Sequence, residues 1–421
     1  MPLRLWRDLT PLEQPLRQPT AESPHILVIG GGVTGLVTSW VLLDQGYRVT
    51  VLSSAWVNSE KRLTSQIAGA LWEFPPAVCG SHTDAISLAH SKRWCMTAYH
   101  VWDAIASIPV IGQESGVRMM PSDFFFPCPV EEDDAQYSKM MEIMASGVRG
   151  FYRGADLIDE RRVDPSYGAV DAYELLAPII DTDKSMEWLT DLVHRKGAEY
   201  VTETITEDLL DIEDDLRARF AADVVINCTG LQGELLAGDK TVYPIRGGLI
   251  RVINDGSDFP KVDAALTITA DAVHDANEIV FLVPRNDNIL LIGGIAEPQK
   301  RDLDLTLDSP IIRRMRERCE SFLPSLKSAR VDPDYPLAQG LRPFRGNNVR
   351  VERELRRAGS RIVHSYGQGG AGWSLSFGCA QDVASLVEET LRGVAPRSMK
   401  EMEEERRGTS VWSPVEIRAA L

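Results

Sequence analysis

No apolar run in these 421 residues approaches the ~18 that a membrane-crossing helix needs. The sequence also has few positive charges. With 45 Lys and Arg against 61 Asp and Glu, its net charge is −16, which argues against nucleic acid or an anionic membrane surface as partner. The six cysteines are scattered, without C-x-x-C and without zinc spacing to the seven histidines, so no metal is expected. Most cysteines sit among apolar residues, which reads as buried free thiols in a reducing compartment. Residues 1–20 carry four prolines and no apolar signal core. The final Ala419-Ala420-Leu421 is not the Ser-Lys-Leu peroxisomal address. A cytoplasmic location is the resulting expectation. Hydrophobic content of 44% and charged content of 25% suit a globular protein with room for two or three domains.

What is present begins at His25. The apolar run Ile26 to Ile29 breaks into Gly30-Gly31-Gly32; a helical pattern follows, stops at Gly46, and a second β-branched run starts at Val49. Gly30, Gly32 and Gly35 have the G-x-G-x-x-G spacing between a strand and a helix. Gly30 serves the tight turn, Gly32 the close approach of a pyrophosphate and Gly35 the packing of helix on strand, while the helix N-terminus attracts phosphate. Val33 lies in the same turn. The acidic residue that commonly binds the ribose is replaced by Ser53 and Ser54, which can hydrogen-bond but carry no charge.

Further along, residues 84–108 have helical apolar spacing and 183–197 form a second helix with Gly197 near its end. Phe124-Phe125-Phe126, residues 170–180, 243–252, 262–272, 278–284 and 288–294 read as strands, and 311–322 as a helix. Val201 to Leu210 suggests a strand and a turn. Glu131 to Asp134 reads as a solvated acidic turn. Ala222 to Gly230 is a continuous apolar strand of the parallel type, ending in a glycine turn. Arg361 to Tyr366 is a strand before the cluster Gly367-Gln368-Gly369-Gly370-Ala371-Gly372, with a last helix over 379–391. Such a cluster lets backbone approach a large flat ligand closely.

Several blocks carry a resemblance. Thr64 to Trp72, Ile226 to Gly230, Tyr243 to Gly247, Gly340 to Arg345, and His364 to Gly372 followed by Gly378-Cys379-Ala380 resemble the D-amino-acid oxidase and D-aspartate oxidase family in order and rough spacing. The resemblance spans most of Ile26 to Leu391. It implies an α/β fold: a discontinuous Rossmann-like FAD-binding domain (25–70, 221–243 and 343–394) and a mixed-sheet α+β substrate-binding domain (71–220 and 244–342). Residues 1–24 and 395–421 would be an extension and a tail outside the core.

The resemblance further implies non-covalent FAD. Gly30, Gly32 and Gly35 would take the pyrophosphate, with Thr64, Ser65, Gly69, Leu71 and Trp72 along the flavin. Thr229 and Gly230 would meet the adenosine side, and Gly369, Gly370, Gly372, Trp373 and Ser374 the isoalloxazine. The implied reaction is oxidative deamination of a D-amino acid. Hydride passes from Cα to flavin N5, O2 is reduced to hydrogen peroxide, and the imine hydrolyses to an oxo acid and ammonia. Arg342 matches the carboxylate-binding arginine, whose planar guanidinium clamps a carboxylate. Phe281, Asn277 and Ala371 stand where the family has aromatic side chains, two of them tyrosines, so the pocket should be more open and differently polar. Glu73 pairs either a cationic amine or basic side chain, or a structural cation. His364 reads as a satisfied core histidine, and Arg285 and Arg345 as structural or surface. The partners implied are a small amino acid and O2, and a homodimer is compatible with the sequence. A specialised amine or imino-acid oxidase, or a weakly catalytic flavin-binding protein, stays open as an alternative.

Overall fold

The computed structural model describes residues 2–76, 85–269, 279–346 and 348–409. Asn277 and Cys79 lie outside the described residues. The strands, in chain order, are β1 His25–Ile29, β2 Arg48–Ser53, β3 Val117–Phe126, β4 Tyr152–Arg153, β5 Asp171–Ile180, β6 Glu199–Thr202, β7 Val224–Asn227 and β8 Val242–Ile253. They continue as β9 Ala265–Thr269, β10 Ile279–Pro284, β11 Ile289–Gly293, β12 Glu297–Pro298, β13 Leu337–Arg345, β14 Arg350–Arg353 and β15 Ile362–Tyr366.

Six of them form one sheet in the order β14-β15-β7-β1-β2-β6. From β15 to β6 every pairing is parallel. The central strands β1 and β7 are buried on both faces, which is why their sequences are unbroken apolar runs rather than alternating ones. Helices cover one face. Trp40 of helix Val33–Asp44 meets Trp188 and Phe377 edge-on at 5.5 and 5.4 Å, tying that helix to Thr182–Arg195 and Gly372–Leu391. Helix Ala85–Ala106 closes in on Gly378, where an added Cβ would lie 2.1 Å from the Trp94 Cα. On the other face Leu209, Leu216 and Leu236 pack on Leu27, Leu52 and Val225.

The second sheet runs β12-β8-β11-β10-β9-β3-β5-β4, with β13 along the other edge of β8. It is mixed: β3 and β9 are parallel, its other pairings antiparallel. Helix Pro310–Phe322 covers one face through Ile312, Met315, Cys319 and Phe322, leaving the other free to wall a cavity.

Several expectations change. β6 pairs with β2 in the first sheet, so the stretch expected at 201–210 is a shorter, earlier strand, which lies within the span 71–220. β8 and β13 pair continuously from Val242 to Ile250, so boundaries at 243 and 342 cut through paired strands. The last helix starts at Gly372, seven residues before the apolar pattern showed it, because its first turn is built from the glycine cluster itself. Asp133 is no idle loop residue: its Oδ1 accepts from the Ala135 and Gln136 amides at 3.0 Å and caps helix Asp134–Ala145. The N-terminal extension is part of the core. Leu9 is fully buried, and Asp44 Oδ2 accepts from the Thr10 amide at 2.7 Å. Asp44 also takes the Leu16 amide, the Trp40 indole N–H and the Lys196 ammonium, so one buried carboxylate fastens residues 10–16 to the fold. Met399 and Glu403 in the tail are buried too. Among the described residues no helix is long and apolar enough to cross a membrane.

Candidate active site

A cavity of about 940 Å³ lies between the two sheets. Its floor is the first glycine turn. Gly30 has φ +123°, and a Cβ there would lie 2.4 Å from the Cys228 carbonyl oxygen, so only glycine fits. A Cβ on Gly35 would stand 1.9 Å from the Gly30 carbonyl oxygen, so its absence lets the helix touch the strand. Gly35 therefore packs behind the wall, whereas Gly30, Gly32 and Val33 line it. Ser53 Oγ accepts from the Gly31 amide at 3.1 Å and donates to the Ala55 carbonyl at 2.7 Å. The serine that replaces the expected acid thus braces the glycine turn. Ser54, exposed, lines the same end.

The second glycine cluster meets the first. Gly369, Gly370, Gly372, Trp373 and Ser374 all line the cavity, and a Cβ on Gly372 would be 3.6 Å from Val33. Two helices thus begin at one cavity, with no acidic residue in either first turn to oppose an anion. Ser65 joins them: its Oγ accepts from the Val33 amide at 3.1 Å and its carbonyl from the Trp373 indole at 2.9 Å. The Gly369 amide donates to the Pro343 carbonyl at 2.9 Å, tying the cluster to the strand that carries Arg342.

Thr229 and Gly230 also line the cavity. Asn227 Oδ1 accepts from the Thr229 hydroxyl at 2.7 Å, and behind it Asn227 Nδ2 meets His364 Nδ1 at 3.3 Å. His364 Nε2 contacts Glu354 at 3.2 Å. Burial pushes His364 down to about 4, so it is neutral and donates from Nε2. His364 is the core residue expected, and it orients the wall from behind.

On the opposite side Thr64, Gly69, Leu71 and Phe281 line the cavity. The Phe281 ring lies where a Gly69 Cβ would meet it at 2.6 Å. Trp72 is not at the wall: it is 2% exposed and its indole donates to the Cys95 carbonyl at 3.1 Å. A side chain next to Leu71 points the other way, into the helix layer. Arg285 is buried; it donates to the Ile180 carbonyl at 2.7 Å and also to that of Ala68, holding the loop in place. Desolvation lowers it to about 10. Arg345 pairs with Asp239, which makes it structural.

Arg342 lines the cavity from β13. Its guanidinium lies over Gly247, where a Cβ would come within 2.5 Å, and Nη1 donates to the Ile295 carbonyl at 3.0 Å. Among the described residues it has no carboxylate partner within salt-bridge distance. Sequence reasoning gave no site role to several parts of the wall, among them Gly247 under the guanidinium, Ala68, and Glu203 to Thr206 beyond β6. The last could only be found from the pairing of β6 with β2.

A Cβ-free floor, two converging helix N-termini and a cavity of about 940 Å³ fit a dinucleotide with a large planar ring system, and the class so defined is a flavoprotein oxidoreductase built on two sheets. Comparison with known proteins agrees. A family model described as FAD dependent oxidoreductase (DAO) matches residues 25–386, and the chain belongs to that family. D-amino-acid oxidase of Streptomyces coelicolor is 31% identical over 368 residues, covering 86% of this chain and 96% of that protein. Human D-aspartate oxidase is 28% identical over 387 residues, covering 90% and 99%. Glycine oxidase of Bacillus cereus shares the fold at a TM-score of 0.63 and 17% identity, covering 89% of this chain and 99% of that one. The protein is an FAD-dependent oxidoreductase.

Proposed function

We propose that this enzyme oxidises the Cα–N bond of a D-amino acid, with O2 as the final acceptor and an oxo acid, ammonia and hydrogen peroxide as products. The observation that carries this reading is Arg342, a guanidinium on the cavity wall with no carboxylate of the described chain beside it. A half-buried guanidinium facing the cavity without a counter-charge of the described chain offers its planar fork to a substrate carboxylate. FAD, when bound, supplies the two-electron acceptor.

The chain's own residues do the rest. Gly30, Gly32 and the two helix N-termini hold phosphate, and Ser53 keeps the turn in shape. Thr229, held by Asn227, lines the wall beside the glycine turn, and Gly369, Gly370 and Trp373 shape the end near Arg342. Arg342, fixed by the Ile295 carbonyl, orients the substrate so that Cα–H faces the acceptor. Phe281 and Leu71 close the site with apolar surface and exclude water. A peroxide assay over a panel of D- and L-amino acids tests the reading. The Arg342→Ala protein should keep its flavin absorbance but lose roughly 2–5 kcal/mol of carboxylate binding. Oxidation of D-amino acids at wild-type kcat/KM by that protein would remove Arg342 from the site.

A further inference from the structure

Among the described residues, three charged ones line the cavity: Arg342, Glu203 and Glu73. Glu203 is taken, since Arg219 binds both of its oxygens. It also sits at the Ser53 end, where its amide donates to the Ser53 carbonyl at 3.0 Å. Glu73 differs. Its Oε1 accepts from Lys139 Nζ at 2.8 Å, while Oε2 has no protein partner among the described residues. Lys139 is only 5% exposed and is held from behind by the Pro76 carbonyl at 2.9 Å. The ammonium therefore holds the carboxylate in place through Oε1, and Glu73 lines the cavity.

Arg342 and Glu73 reach the cavity from different ends of the strand order of the second sheet. Arg342 stands on β13, at the edge beside β8. Glu73 follows Leu71, whose backbone bridges Ile179 on β5. Between them the wall is apolar, with Leu71 and Phe281 packed in one cluster. A carboxylate next to the substrate's α-amine would stabilise its protonated form and oppose loss of hydride from nitrogen-bearing carbon. Glu73 is better suited to the far end of the substrate than to its reacting end.

We infer that Glu73 is a specificity-determining residue, and that the enzyme prefers D-amino acids whose long apolar side chain ends in a cationic or N–H donor group. The inference rests on the D-amino-acid oxidase reading given above. Arg342 takes the α-carboxylate, the methylenes lie along Leu71 and Phe281, and the terminal donor meets Glu73 Oε2. Acidic side chains are repelled by the same carboxylate.

D-Lysine and D-norleucine test this, since they differ only by the terminal amine. The wild-type holoenzyme should show kcat/KM for D-lysine at least about tenfold above that for D-norleucine, the range expected where a charged partner at a partly open site is lost. Glu73→Gln should reduce that ratio about tenfold, with flavin content measured in parallel to show that the protein is loaded. A readout that needs no variant and no turnover is titration of the wild-type holoenzyme with hexanoate and 6-aminohexanoate, followed by the flavin absorbance. The aminated acid should bind at least about tenfold more tightly. Oxidation of D-norleucine as fast as D-lysine, or equal binding of the two acids, overturns the role of Glu73 and leaves the oxidase reading standing. Failure of every D-amino acid to react overturns both.

Discussion

Gly35→Ala is the sharpest test of how the cofactor wall is built. The residue sits inside helix Val33–Asp44, where alanine is favoured over glycine by about 1 kcal/mol. Propensity alone therefore predicts a more stable protein. The packing predicts the opposite. The new Cβ would lie 1.9 Å from the Gly30 carbonyl oxygen, against an ordinary contact of at least 3.4 Å, and neither partner is a side chain that can rotate away. The helix must retreat from β1 by about 1.5 Å, an overpacking that costs about 3 kcal/mol, the upper end of the usual range. The clash therefore outweighs the propensity and leaves a net loss of about 2 kcal/mol. The same retreat takes helix N–H groups from about 2.9 Å to beyond 4 Å from a bound phosphate, outside hydrogen-bond range. One lost charge-assisted bond is worth about 1.5–3 kcal/mol, so FAD should bind roughly 10- to 100-fold more weakly. Apoprotein titrated with FAD, followed by quenching of flavin fluorescence, measures the affinity, and thermal unfolding of the apoprotein measures the stability. Gly346→Ala is the control, because its Cβ would have nothing closer than Thr241 at 3.5 Å. A Gly35→Ala protein with wild-type FAD affinity and unfolding temperature would refute the argument.

Lys196→Met should destabilise the protein by about 3–5 kcal/mol and make residues 10–16 accessible to limited proteolysis, because Asp44 and Lys196 are both fully buried and the carboxylate would lose its counter-charge. Thermal unfolding and mapping of the cleavage sites check both effects. His364 gives a pH signature. Its folded-state value of about 4 lies below the ordinary 6.5, so between these values the unfolded chain binds the extra proton. Stability should fall as pH drops from 6.5 towards 4 through this group, and His364→Asn should flatten that part of the profile in denaturant titrations. A slope unchanged by the substitution would mean that His364 is not held neutral.

The first β-α-β unit was legible because its signals are local. The apolar run of β1, the glycine spacing and the helical period all lie within thirty residues, and they agree with one another. β7 was legible as a strand because burial on both faces leaves the apolar run Val224-Val225-Ile226; β15, also fully buried, carries His364 and Ser365 and was marked by the glycine cluster that follows it. The start of the last helix was hidden, since glycines mask helical periodicity in its first turn. The anchoring of the N-terminal segment was hidden too. It depends on a carboxylate from one helix and an ammonium beyond the end of another, and nothing in the spacing of Thr10, Asp44 and Lys196 links them.

At the site, the sequence by itself determined the glycine turns and named Arg342 through the block around it. A turn that only glycine can make leaves its mark on the chain wherever it occurs. Tertiary structure alone decided which side chains face the ligand. It turned Trp72 into the core and brought the end of β6 beside Ser53. It also set Lys139 behind Glu73, leaving one carboxylate oxygen without a protein partner among the described residues. The reason is physical: residues 73 and 139 lie far apart along the chain, and only the packing of helix Asp134–Ala145 against the loop after Leu71 fixes the face that each presents.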